Sequence, residues 1–170
     1  VAQGRLEALL NYQTVICDLT GMELSNASLL DEGTSAAEAM TMLFANRDRV
    51  KVNNNCNKFF VADDVFDQTL DVLMTRAEPL GIEIVKNSID KINVDKSFFG
   101  SYVQYTGKNG QINDLKTISK TISNYDIKLI VAADLLSLTI LEKPSLFNCD
   151  VVVGTSQRFG IPLGYGGPHA

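Results

Sequence analysis

Asp134 is the residue whose setting most readily suggests chemistry: it follows the apolar run Ile127–Ala132 with only Ala133 between. In open α/β sheets, ligands bind beyond the carboxyl ends of the strands. An acid in that place can pair with a protonated ring nitrogen or a metal, and it can equally cap a following segment, Leu135–Leu141. The second such place is the run from Gly154 to His169, which holds Gly154, Gly160, Gly164, Gly166 and Gly167 of the chain's 12 glycines. Glycine costs roughly 1 kcal/mol relative to alanine in regular structure, so this density belongs in a loop that bends unusually or lies close against another surface. Exposed amides in such a loop form a concavity suited to phosphate, and a purely structural loop fits the composition as well. The run has neither a Walker lysine nor a G-x-G-x-x-G order after an early strand, so no nucleotide motif applies. Within it, Arg158 carries a fork that fits a carboxylate, a phosphate or an interface acid.

The remaining candidates are weaker. Asp31-Glu32 and Asp63-Asp64 each precede a predicted helix, where negative charge meets the positive end of the helix dipole, and both pairs read as caps. Cys17, Cys56 and Cys149 are odd in number and lack a C-x-x-C spacing. They read as reduced thiols of a cytosol-like compartment, with Cys17 and Cys149 acting as small core residues. With His169 as the one histidine, no zinc constellation can be assembled. A formal net charge of −5 argues against nucleic acid or an anionic membrane as partner, since either needs a clustered basic surface. The most apolar stretch, Ile127–Leu141, is shorter than the ~20 residues of a membrane helix and contains Lys128 and Asp134.

These groups need a scaffold, and 170 residues with 45% hydrophobic and 21% charged composition supply one packed domain rather than a disordered tail or coiled coil. Leu6, Leu9, Leu10, Ile16 and Cys17 recur at helical steps, with Gly21 as a left-handed stop, predicting an amphipathic helix over Gln3–Leu19. Ser35-Ala36-Ala37-Glu38 has the form of a capping box opening a second helix. Strand Lys58–Ala62, a helical face of Phe66, Leu70, Leu73 and Ala77, and strand Ile82–Val85 form a βαβ unit with a right-handed crossover. A short strand is expected at Ile92–Val94 and a longer one at Tyr102–Thr106, followed by the turn Gly107–Gly110 and a helical face of Ile112, Leu115, Ile118 and Ile122. Ile127–Ala132 has the unbroken apolar character of a central strand, and Val151–Val153 predicts one more buried strand. The chain begins at Val1 without a methionine and stops just after its glycines, so both ends read as cut. Residues 1–170 are read as most of one α/β domain.

Three long stretches carry a specific resemblance. Gln3-Gly4-Arg5-Leu6-Glu7-Ala8-Leu9-Leu10-Asn11-Tyr12-Gln13, Asn26-Ala27-Ser28-Leu29-Leu30-Asp31-Glu32-Gly33-Thr34 and the run from Ser156 through Gly160-Ile161-Pro162 to Gly166-Gly167-Pro168-His169-Ala170 resemble the N-terminal half of the glycine cleavage system P-protein family. The motifs stand in the family's order and the likeness extends over residues 1–170. It implies the large domain of fold-type-I pyridoxal-phosphate enzymes, a mixed, mostly parallel central sheet flanked by helices. It also implies an oxidoreductase reaction. Glycine is decarboxylated on pyridoxal 5′-phosphate, and the remaining aminomethyl group passes to the lipoyl arm of the H-protein, with the T-protein and lipoamide dehydrogenase completing the cycle.

The resemblance implies further that the family has two homologous halves, fused or separate, and that the cofactor lysine belongs to the other, C-terminal half. Laid over that half, the lysine position falls on Gln157, which cannot form a Schiff base, and Asp134 falls near the acid that pairs with the pyridinium nitrogen. This half then supplies no catalytic residue and no metal ligand. Its loop residues Gly164, Tyr165, Gly166 and Gly167 are expected to approach the cofactor phosphate of the catalytic half in trans. The alternative is a purely structural pseudo-domain without cofactor contact. The tyrosine-rich stretch that in the family precedes Val1 is not part of this sequence, and the fragment by itself is expected to be inactive. The compartment implied is the cytoplasm in a bacterium and the mitochondrial matrix in a eukaryote.

Overall fold

The computed structural model describes residues 2–26 and 28–164. Five strands, β1 (Lys58–Ala62), β2 (Glu83–Asn87), β3 (Phe98–Gln104), β4 (Lys128–Ala132) and β5 (Val151–Val153), form a sheet in the order β2-β1-β3-β4-β5. Every neighbouring pair is parallel, so the expected mostly parallel sheet is wholly parallel among the described residues. Parallel strands are covered on both faces and read as apolar runs. That rule holds for β4, whose residues after Lys128 are all buried, and for β3, which is buried throughout.

The helices are α1 (Ala2–Thr20), α2 (Glu32–Ala45), α3 (Arg49–Asn53), α4 (Asp67–Ala77) and α5 (Leu115–Ser123). α2 and α4 pack on each other and α2 crosses β3, where the ring of Phe59 lies 2.9 Å from the place a Cβ on Gly100 would take. By strand alternation Tyr105 belongs to the opposite face, where its ring meets Phe147 edge-on at 6.0 Å and α5 packs on the turn containing Phe147. Tyr102, Phe59, Phe60, Phe99, Met40 and Leu73 are completely buried between these layers. α1 closes at Gly21 as expected, with φ at +75° and its amide on the Cys17 carbonyl. Only its second half packs on the domain, through Ile16 and Leu19, whereas Leu6 and Leu10 are more than 60% exposed.

Several local expectations shift. α2 begins one turn before the Ser35 box, because Asp31 is the better-placed cap: its Oδ1 accepts from the Thr34 amide at 2.7 Å, which leaves Ser35 inside the helix. Asp63 and Asp64 do not cap α4. An extra turn intervenes, and the amide of Phe66, the N-cap residue, donates to the Gln104 side chain at 2.7 Å. No strand forms at Ile92–Val94, which follows a single 3-10 turn over Ile89–Lys91. β3 starts at Phe98, four residues ahead of the expected Tyr102, because Gly100 and Ser101 serve inside the strand rather than breaking it. Ile112 is exposed and bridges to Thr106 instead of extending α5. β5 is half-buried rather than buried, lying at the edge of the described sheet.

Candidate functional site

Strand order fixes where a site belongs. The chain passes from β1 to β2 on one side of the sheet and then to β3 on the other, so the switch point lies between β1 and β3, and the carboxyl ends of β4 and β5 continue the same edge of the sheet. Asp134 sits there, one residue past Ala133, whose amide prolongs the β4–β5 ladder by donating to the Val153 carbonyl at 2.9 Å. Both of its carboxylate oxygens are engaged. Oδ1 accepts from the Leu136 amide at 2.9 Å, closing a local turn, but the helix expected over Leu135–Leu141 is reduced to a 3-10 turn, Ser137–Thr139, whose N-cap is Leu136 rather than Asp134. Oδ2 accepts from Arg158 Nε at 3.1 Å, and Arg158 Nη2 completes the ion pair, also at 3.1 Å.

Arg158 reaches Asp134 from a 3-10 turn, Ser156–Phe159, that follows β5. Thr155 caps this turn by accepting the Gln157 amide, and Gly160 closes it in the left-handed region at φ +103°. Edge-on contact between Phe159 and Tyr12 of α1, with ring centroids 6.4 Å apart, holds its far side. The approach to β4 is made possible by Gly154. A Cβ there would lie 2.3 Å from the Ala133 carbonyl oxygen, a backbone atom that cannot step aside. Gln157 is spent on the loop itself, donating from Nε2 to the Ile161 carbonyl at 3.1 Å.

Two further groups complete this corner. Glu32, the first residue of α2, has its carboxyl raised above the usual range by burial first, then by the negative charges of Asp134 and Asp31. The Tyr102 phenol is wholly buried, and its hydroxyl has no hydrogen-bond partner among the described residues. Burial and then the charge of Glu32 push it well above its ordinary value. Glu32 thus feels the charges of Asp31 and Asp134, the phenol of Tyr102 within β3 feels that of Glu32, and Asp134 is the one of these acids paired with Arg158. The sequence reading found Asp134 and Arg158 separately. It missed Glu32, whose position in a helix start pointed to capping alone.

At the β1–β3 side a separate polar knot replaces the predicted cap. Asp64 is 3% exposed, and its Oδ2 accepts from Asn113 Nδ2 at 2.6 Å and from Gln111 Nε2 at 3.3 Å. Asn113 also donates to the Gln104 carbonyl at 2.7 Å, tying the loop after β3 to the end of β1. The Asp64 Oδ1 and Thr106 Oγ1 atoms are buried here without partners among the described residues.

Of the loop expected to reach a phosphate, Gly164 is exposed with φ at +155°, and Tyr165, Gly166 and Gly167 lie outside the described residues, as does His169. Cys56 and Cys149 are buried, Cys17 is half-buried, and all three are free thiols. Among the described residues, no group of His, Cys, Asp and Glu could hold a metal ion, and no helix is long and apolar enough to cross a membrane.

The parallel sheet and its covering helices have the large-domain fold of pyridoxal-phosphate-dependent enzymes. An O-acetylhomoserine (thiol)-lyase of Campylobacter jejuni, solved with N′-pyridoxyl-lysine-5′-monophosphate, superposes with a TM-score of 0.67 over 84% of this chain at 14% identity, a likeness of fold. The sequence profile of the glycine cleavage system P-protein matches residues 1–170, and the chain belongs to that family. A glycine decarboxylase (P-protein) of the glycine cleavage system, solved in an inhibitor-bound form, superposes with a TM-score of 0.87 at 28% identity, covering 99% of this chain and 38% of its own. The glycine dehydrogenases (decarboxylating) of Flavobacterium johnsoniae and Nostoc sp. are 53% and 51% identical over 170 residues, all of this chain but 18% and 17% of theirs. The chain thus spans about a fifth of the curated relatives it matches. It covers 38% of the solved chain against 18% of the Flavobacterium relative, so the solved chain is about half as long.

Two outcomes follow from this geometry. Gly154→Ala forces Cβ into the Ala133 carbonyl and is expected to cost about 1–3 kcal/mol, read as a lowered denaturant midpoint of the complete protein. An unchanged midpoint would contradict the close approach. Glu32 has a raised folded value, so its favourable contribution is complete below the unfolded pKa of about 4.3 and is lost as pH rises through the folded one. The melting temperature of Glu32→Gln relative to the parent should therefore rise between pH 4 and pH 7, and a pH-independent difference would refute the raised carboxyl of Glu32.

Proposed function

We propose that this chain is part of the N-terminal, lysine-free half of a glycine decarboxylase of the glycine cleavage system. The complete enzyme removes CO2 from glycine and hands the aminomethyl group to the lipoyl arm of the H-protein. The match of the family profile over residues 1–170 carries this reading. The solved P-protein chain's being about half as long as the curated relatives supports an enzyme built of two comparable halves.

Pyridoxal phosphate is the electron sink such chemistry requires, held through a lysine with an acid or arginine at its ring nitrogen. The residues of this chain do not fit that requirement. Gln157 stands where the resemblance calls for lysine, with its carboxamide on Ile161, and Asp134 is already paired with Arg158. We therefore assign the cofactor to the other half. What this chain contributes is shape and backbone. Asp134, Arg158 and Gly154 fix where the glycine-rich loop leaves the sheet, and the role assigned to Gly164, Tyr165, Gly166 and Gly167 is contact with the phosphate of the partner half. An exposed Gly164 in a conformation that favours glycine is compatible with a backbone that has to lie close to a ligand.

Borohydride reduction of the complete enzyme loaded with cofactor, followed by peptide mapping, should place the pyridoxyl adduct outside residues 1–170. A stoichiometric adduct on a lysine within them would overturn the assignment. In the same enzyme Gly166→Val should weaken cofactor retention by an order of magnitude or more. Unchanged retention would favour the purely structural pseudo-domain.

A further inference from the structure

The disagreement between this half and a cofactor site is itself specific, because the acid is kept while the lysine is not. We propose that Arg158 is a built-in counter-ion for Asp134, taking toward this acid the electrostatic role that a cofactor's cationic ring takes in a lysine-bearing half. The inference rests on the reading that residues 1–170 hold no cofactor of their own.

A carboxylate in a partly desolvated crevice needs a cation, and a planar cation with N–H groups suits it best. In a pyridoxal-phosphate site the ring nitrogen meets that need. Here the guanidinium does so: Nε donates to Asp134 Oδ2 at 3.1 Å and Nη2 lies at ion-pair distance, 3.1 Å, from the same oxygen, while Oδ1 is held by the Leu136 amide. The requirement is sharpened by Glu32 and Asp31, whose charges add to that of Asp134 in the same corner. Arginine stays charged throughout the physiological range, so the replacement is permanent. Its place next to Gln157, on a turn pressed against β4 by the missing side chain of Gly154, makes it the neighbour of the lysine position that meets the acid. With Arg158 49% and Asp134 33% exposed, the pair is open to solvent, a position where attraction alone adds little to stability. The role assigned is therefore neutralising, and it predicts interdependence of the two residues rather than a large loss on removing either.

The test is a double-mutant cycle in the complete enzyme, read by thermal melting and by retention of the cofactor. Arg158→Ala should lower the melting midpoint by a few degrees, and adding Asp134→Asn, which removes the charge but keeps an acceptor for the Leu136 amide, should restore at least half of the loss, because the unpaired charge goes with its partner. Millimolar methylguanidinium, or imidazolium at pH 6, should stabilise Arg158→Ala more than sodium or tetramethylammonium at equal ionic strength, and should leave the double variant unaffected. If Arg158→Ala does not fold, a double variant that folds still supports the proposal and one that does not overturns it. A double variant no more stable than the single, or equal effects of all the cations, overturns it too. The borohydride map is independent of these readouts, so an adduct within residues 1–170 would defeat the functional reading, whereas an additive cycle defeats the counter-ion alone.

Discussion

The carboxyl-end corner of this domain depends on how closely the chain leaving β5 passes the carbonyl of Ala133. A side chain at residue 154 would put a carbon 2.3 Å from that oxygen, so the backbone there can only be glycine's. Because it passes so near, the one-turn helix Ser156–Phe159 lies beside the residue that follows Ala133, and Arg158 meets Asp134 without a long reach. The acid in turn fixes the segment after β4 through the Leu136 amide. Two loops are thereby locked together at the place where an α/β sheet presents ligands.

The neighbouring end of β1 and β3 is organised by another means. There the connection after β3 folds back so that Asn113 donates both to Asp64 and to the Gln104 carbonyl, and Gln104 itself accepts from the amide that opens α4. A buried carboxylate with two amide donors is a costly group made tolerable by hydrogen bonds, and it rigidifies the loops it joins. The two corners differ in kind. One is neutral donors around one acid, and the other is an acid paired with a guanidinium and close enough to Glu32 to raise its carboxyl.

How far the sequence could be read follows from the range of each interaction. β1 and β4 were legible to within a residue because a strand covered on both faces must be apolar throughout, and α1 because its apolar spacing and Gly21 are local. Asp31 was legible as a cap for the same reason. Asp64 was not: its partner is 49 residues away, and an acid just before a helix looks the same whether it caps or is buried. Gly100 and Ser101 hid the start of β3, since glycine ordinarily weakens a strand and only the Phe59 ring packed over it explains its presence. The Arg158–Asp134 pair, 24 residues apart, was open to several partners until the fold brought the two ends together.

Asp134 also bears on what an acid at a strand's carboxyl end means. It invites a catalytic reading, because that is where α/β enzymes carry their chemistry. Here each oxygen already has a task that needs no cofactor, one as acceptor for a backbone amide and one as partner of an internal guanidinium. Replacing the acid by an apolar residue would free both Leu136 and Arg158, so the fold by itself is reason enough for a carboxylate at this position. The residue one turn after β5 is occupied in the same way, since Gln157 closes its own loop by donating to the Ile161 carbonyl.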